Sequence, residues 1–163
     1  MTRNEKQSTK PLAIGMGEAA FLHEGETACT VLGSCVGLAL VHPKLGLAAI
    51  AHIVLPTAQS RNGPPGKFAD TAVPHLIDLF RVKGVCPTQL VAKAVGGAKV
   101  LGSGGPLQIG KANQEQVLAL LQAAGIPLVA QHLGGTERRR IVLHAYLGRL
   151  EVQVAAEERL ILL

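Results

Sequence analysis

Two residues in this chain combine a reactive type with suitable neighbours, Cys35 and His52. A cysteine thiol titrates near ~8.5 and attacks only as the thiolate, so it needs a group to take its proton. An imidazole supplies this, and a cysteine–histidine pair without a metal suits acyl transfer on an amide, ester or thioester. Gly33 and Ser34 precede the cysteine and Gly37 follows it. Glycine lets a backbone approach a substrate closely and leaves amide N–H groups free for an oxyanion, which makes Gly33 and Ser34 the oxyanion candidates. The same residue types also suit an inert core. Cysteine in an apolar strand commonly acts as a small hydrophobe, and a histidine among Ala51, Ile53 and Val54 commonly has its hydrogen bonds met inside the core.

The elements that must position the pair are legible from composition. Residues 36–41 and 46–55 are runs of small and branched apolar residues, which read as strands. Between them residues 42–45 contain a proline, and Gly46 follows, which suits a hairpin loop of about four residues. If Val41 pairs with Gly46, the register carries on to set Cys35 opposite His52 on one face. Directly opposed Cβ atoms stand roughly 4.5–5.5 Å apart. A slip of one residue would place the two on opposite faces.

The segments LGSCVGLAL and AHIVLP resemble the signature of the CheD family, chemoreceptor glutamine deamidases of bacterial and archaeal chemotaxis. Further segments in the same order extend the resemblance through nearly the whole chain: AIGMGEAAF, GKFADTAV, AVGGAKVL and the long run from IGKANQEQ to LGRLEV. The resemblance implies a catalytic cysteine at Cys35, a histidine at His52 and a threonine just upstream of GSC. Thr30 is the best match for the last, with Thr27 and Cys29 close by. It places the Gly96-Gly97 segment near the active site, as substrate-binding candidates, and matches Asn113 to an asparagine of the family, read here as tying down a helix start. The implied fold is α+β: an α/β sandwich of mostly antiparallel sheet with flanking helices, related to deamidating bacterial toxins. The implied reaction converts receptor glutamines to glutamates through a cysteine thioester, with glutamyl methyl-ester hydrolysis open to the same route. The implied partners are the cytoplasmic parts of methyl-accepting chemoreceptors and the phosphatase CheC. A non-catalytic adaptor binding receptors or CheC is the alternative.

The remaining sequence fits one catalytic domain over residues 11–163 after a mobile tail over 1–10. Hydrophobic residues make up 48% and charged residues 17%, a composition for a globular domain of 163 residues. Three cysteines without framework spacing suit a reducing cytoplasm. The polar start lacks a signal core, and no apolar run is long enough to span a bilayer. The spacing of Val73, Leu76, Ile77 and Phe80 predicts a helix over 71–83, with Asp70 as N-cap, Pro74 in the first turn and Gly84 as C-cap. A second helix is expected from Lys111 or Ala112 to Ala124, capped by Gly125 and burying Val117, Leu120, Leu121 and Ala124. Further strands are expected over 90–95, 127–132, 140–145 and 150–154, for about seven in all. Residues 57–67 read as a loop, either a rim over the site or plain surface, and GSGGP at 102–106 as another.

A net charge of +5 raises nucleic acid as a partner, but no Trp, one Tyr and three Phe leave little to stack on bases. The one basic cluster, residues 138–140, reads as a solvated strand edge or a docking patch for an acidic surface. No CxxC, HxxxH or HExxH spacing occurs, so neither metal nor other cofactor is expected.

Overall fold

The computed structural model describes residues 10–100, 108–157 and 160–163. Residues 1–9 of the expected tail and the expected loop at 102–106 lie outside that set. In chain order the elements are β1 (Leu12–Ala13), β2 (Ala19–Leu22), β3 (Thr27–Leu32), β4 (Val36–His42), β5 (Leu47–Ile53), α1 (Ala69–Arg81), β6 (Val91–Gly96), α2 (Ile109–Ala124), β7 (Leu128–Leu133), β8 (Arg139–His144), β9 (Arg149–Val154) and β10 (Leu160–Leu162). They form two five-stranded sheets, ordered β1-β3-β8-β9-β10 and β2-β5-β4-β6-β7. Only β1/β3 and β6/β7 pair in parallel among the described residues; the other neighbours are antiparallel. The α+β class and the mostly antiparallel sandwich with helices agree with expectation.

Three layers explain why β4 and β5 are apolar at nearly every position. Val36, Leu38 and Leu40 of β4, with Ala49, Ala51 and Ile53 of β5, pack against α1 and α2. The alternate residues Ala39, Val41, Ala48 and Ile50 pack against Leu32, Ile141, Leu143 and Val152 of the other sheet. Strands covered on both faces lose the polar half of the period-2 pattern. The sheets approach closely at Gly37, where a Cβ would lie 2.9 Å from both Ile141 Cδ1 and Leu32 Cδ1.

The β4–β5 register differs from expectation. His42 pairs with Leu47 and Val41 with Ala48, so the loop is residues 43–46. Gly46 has φ of +63°, a left-handed conformation that belongs to the loop end and not to the ladder. The His42 ring accepts a hydrogen bond from the Leu45 amide, 3.3 Å from Nδ1, and closes the loop from the strand side. The one-residue displacement of the loop moves every partner by two, which keeps each side chain on its face.

Both helices begin two or more residues earlier than expected. The N-cap of α1 is Phe68, without a side-chain bond. Asp70 lies inside the first turn, and its carboxylate instead accepts from the Ala58 amide at 3.0 Å, fixing the loop before the helix. Pro74 is the sixth helical residue, beyond the first turn, so it leaves the Asp70 carbonyl without its helical N–H. The C-cap is Val82, and Gly84 follows it with φ of +77°. Gly125 caps α2 in the left-handed region, as expected. Ten strands are present among the described residues against about seven expected; the two-residue β1 and three-residue β10 are too short to carry a periodic signal. No helix among the described residues is long and apolar enough to cross a membrane.

Candidate active site

His52 lies in β5 opposite Gly37 of β4, and its side chain enters the space between the sheets. Thr30 reaches the same space from β3, where it alternates with exposed Val31. Its hydroxyl stands 2.6 Å from the Ile14 carbonyl oxygen and 2.8 Å from His52 Nδ1, and all three are buried. A threonine hydroxyl has one proton to give, and a carbonyl can only accept. Thr30 therefore donates to Ile14, and its oxygen accepts Nδ1–H from the imidazole. That fixes the neutral tautomer with the lone pair on Nε2, the form a general base requires.

The backbone on the far side of His52 is fixed as tightly. Residues 15–18 make a turn in which the Gly15 amide donates to Glu18 Oε2 at 2.7 Å. From it the Gly17 amide donates to the His52 carbonyl at 2.8 Å, and the His52 amide donates to the Glu18 carbonyl at 3.0 Å. Burial holds the His52 pKa below its usual 6.5, against the opposing pull of the Ile14 carbonyl and the Glu18 carboxylate.

Cys35 is not directly opposite His52. It precedes β4 by one residue and Gly37 by two, so the alternation returns it to the face of His52 as a diagonal neighbour. Diagonal pairs stand roughly 7–8 Å apart between Cα atoms, and no hydrogen bond joins Sγ to His52 among those of the described residues. The thiol is 8% exposed and packs with Leu32, Val95 and Ile141. Burial pushes its pKa above 9.0, and its own amide N–H pulls it back part of the way. The resting pair is thus a neutral thiol beside a neutral imidazole.

The loop carrying Cys35 is held by its carbonyls. Gly33 O accepts from the Ala98 amide at 3.0 Å and Cys35 O from the Gly97 amide at 2.8 Å. Ser34 O accepts from Asn113 Nδ2 at 3.1 Å. These contacts depend on glycine. Gly96 has φ of +112°, and a Cβ there would lie 2.2 Å from Cys35 O. Gly97 faces Gln114 and the Gly110 carbonyl, while a Cβ on Gly110 would lie 2.5 Å from Ala98 O. Gly33, Ser34, Gly96 and Gly97 are therefore brought together with Cys35, Thr30 and His52 at one end of the sandwich. Thr27 and Cys29 lie elsewhere: both alternate away from Thr30 on β3.

Two residues at this site escaped the sequence reading of their roles. Arg139, taken as part of an exposed basic edge, is 4% exposed. Its guanidinium donates to the Gly96 and Gly134 carbonyls and to His132 Nδ1, because β8 alternation turns it inward between exposed Arg138 and Arg140. Asn113 does not cap its helix. It is fully buried on the face of α2 that also carries Val117 and Leu121, and it donates to Ser34 O and to Val54 O at 3.0 Å. A polar residue in step with an apolar stripe was the available signal. The loop after β5 returns to the site rim: a Cβ on Gly66 would lie 2.7 Å from Gly17 O, and Pro64 and Pro65 line a cleft of about 310 Å³ with Ile14 and Glu18. Among the described residues, no group of three or more His, Cys, Asp or Glu side chains is placed to hold a metal ion.

The family model for CheD chemotactic sensory transduction matches residues 54–154, more than half of the chain. The chain belongs to the CheD family. It is 40% identical over 148 residues to the probable chemoreceptor glutamine deamidase CheD of Symbiobacterium thermophilum, covering 86% of this chain and 90% of that protein. It is similar to the chemoreceptor glutamine deamidase CheD of Thermotoga maritima, with 36% identity over 141 residues, 86% of this chain and 89% of the other. A third relative, the probable chemoreceptor glutamine deamidase CheD of Archaeoglobus fulgidus, is 33% identical over 144 residues, 87% of this chain and 92% of its own. The family match begins at Val54, just past His52.

Proposed function

We propose that this CheD-family chain is a chemoreceptor glutamine deamidase, with Cys35 as nucleophile, His52 as general base and acid, and Thr30 as the residue that sets the imidazole tautomer. The observation that carries this reading is the Thr30–His52 hydrogen bond, which leaves Nε2 able to take a proton on the face that Cys35 shares. Nε2 draws the proton from Sγ as the sulfur attacks the side-chain carboxamide carbon of a glutamine. The tetrahedral oxyanion is met by backbone N–H groups of residues 33–35. His52 then protonates the leaving nitrogen, ammonia departs, and a thioester remains. Water, deprotonated by His52, attacks the thioester; glutamate leaves and Sγ recovers its proton. Overall one amide and one water become one carboxylic acid and one ammonia. A glutamyl methyl ester would follow the same route with methanol leaving.

The substrate is the cytoplasmic part of a methyl-accepting chemoreceptor, the site of action is the cytoplasm, and CheC is the expected protein partner. Residues 11–163 form the catalytic unit. The buried thiol, without a hydrogen bond to His52, favours one competing reading, an adaptor that binds receptors without turnover. Mass spectrometry of a chemoreceptor cytoplasmic fragment, incubated with wild type and with Cys35→Ala, separates them. Glutamine-to-glutamate conversion by wild type alone supports the deamidase; conversion by neither supports the adaptor.

A further inference from the structure

Three consecutive carbonyls, those of Gly33, Ser34 and Cys35, are tied to Ala98, Asn113 and Gly97. In a planar trans peptide the carbonyl and the following N–H point in opposite directions. Tying the Gly33 carbonyl therefore turns the Ser34 N–H the other way, and tying the Ser34 carbonyl does the same for the Cys35 N–H. Neither amide has a backbone acceptor among the described residues, and the Cys35 N–H meets only its own sulfur, on the side where the reaction would occur. The two outer ties are made by backbone, but the middle one is made by a side chain. Asn113 alone holds the Ser34–Cys35 peptide plane, and that plane carries the nucleophile's own N–H.

We infer that Asn113 is a positioning residue of the deamidation reaction: its amide aims the Cys35 N–H at the oxyanion by holding the Ser34 carbonyl, and spaces the cysteine loop from the end of the histidine strand by holding the Val54 carbonyl. The inference rests on the deamidase reading. Both partners of Nδ2 are carbonyls, which fixes the amide orientation and leaves Oδ1 buried without a donor among the described residues. A fully buried side chain with an unmet oxygen is costly to keep, and an apolar residue would fill an apolar stripe better. The two donors account for its presence.

Asn113→Ala is the test, with Asn113→Ser as a shorter donor-bearing variant, both compared with wild type and Cys35→Ala on a chemoreceptor cytoplasmic fragment. Removal of an oxyanion donor lowers kcat by about 10²–10³-fold, and Asn113→Ala is expected at the low end of that range with KM changed less than about threefold. Alkylation of Cys35 by iodoacetamide, read by peptide mass spectrometry, attacks a saturated carbon and forms no oxyanion, so its rate and pH profile should stay near wild type. A kcat loss matched by an equal loss of alkylation would mean a general disturbance of the site and overturn the inference, as would wild-type kcat in a folded Asn113→Ala. Unfolding of both variants would assign Asn113 a purely structural role and also overturn it. An inactive wild type would remove the deamidase reading itself, and this inference with it.

Discussion

His52 and Cys35 share one face at the same end of the sandwich, yet they are held in different ways. His52 sits within a strand that is paired on both sides, opposite Gly37 in one direction and against Gly17 and Glu18 in the other. Its ring needs one further contact, the Thr30 hydroxyl. Cys35 sits in bends ahead of β4, and its loop is fixed from outside by carbonyl ties and by glycines that let backbones meet. The imidazole is thus positioned by periodic structure, and the thiol by close approach. A side-chain change should degrade the first by degrees. A single added carbon should break the second.

The largest effect is expected at the sulfur. Cys35→Ala should lower deamidation by at least ~10⁴-fold, the scale on which nucleophile removal acts in related mechanisms, while the melting temperature stays close to wild type. Residual turnover above that level would remove Cys35 as nucleophile and end the comparison. Next comes Gly96→Ala. Its φ of +112° and the 2.2 Å approach to Cys35 O leave no room for a Cβ. Strain of this kind, with displacement of the cysteine loop, should cost about 3 kcal/mol or more in denaturant unfolding. A neutral Gly96→Ala would show that close approach does not hold the Cys35 loop.

Thr30→Val should act more gently, because the strands that carry His52 remain. Loss of the tautomer lock should reduce kcat by roughly 10²-fold, the low end of what a positioned acid–base group contributes, with KM little changed and Thr30→Ser restoring most of the rate. If Thr30→Ser were as impaired as Thr30→Val, packing of the methyl group, not the hydroxyl, would be what Thr30 supplies.

The same contrast decides what could be read from the sequence. Period-2 alternation placed Cys35 and His52 on one face, and the two-residue register error left that assignment intact because side chains repeat every two residues. Thr30 was reachable by family likeness at one offset, and its Ile14 partner was not, since β1 is two residues long and edge-paired. The clasp around Cys35 was the least legible part. Gly96, Gly97 and Gly110 meet Cys35, Gln114 and Ala98 across long stretches of chain, and no local pattern reports a long-range approach. Arg139 was hidden within three like residues because only the strand's alternation distinguishes the inward one.

The pH profile sharpens the comparison at smaller scale. Burial lowers the His52 pKa below 6.5 and raises that of Cys35 above 9.0. The base stays neutral and the thiol protonated across the middle range, so kcat/KM should hold a plateau with its acid limb below 6.5. Stability carries the same sign for His52. The unfolded imidazole takes up a proton as pH falls through its usual 6.5, whereas the folded one resists. The contribution is present above that pH and is lost as pH falls towards the folded value, at most about 1.4 kcal/mol per pH unit for one group. Urea unfolding of wild type and His52→Gln between pH 7.5 and 5.5 should show the steeper decline in wild type; parallel curves would mean that His52 is not held neutral by burial.

The smallest effect on turnover belongs to the cysteine most open to reagents. Cys86 is exposed, in the turn after α1, and hydrogen bonds from the Thr88 side chain and backbone lower its pKa. Thiolate character and access together set the rate of alkylation. Iodoacetamide at neutral pH should therefore label Cys86 well before Cys35, and Cys86→Ser should leave deamidation within about twofold of wild type, as is usual for surface substitutions away from a site. Reactivity towards a small reagent and reactivity towards a carboxamide would then rank the two cysteines in opposite orders. The reagent reads exposure and resting pKa. The carboxamide reads a base on the same face and amides aimed at an oxyanion, which the Cys86 turn lacks among the described residues. Loss of turnover on Cys86 labelling, with Cys35 shown unmodified, would place a functional surface beyond α1 and weaken the assignment of the chemistry to the cysteine–histidine end alone.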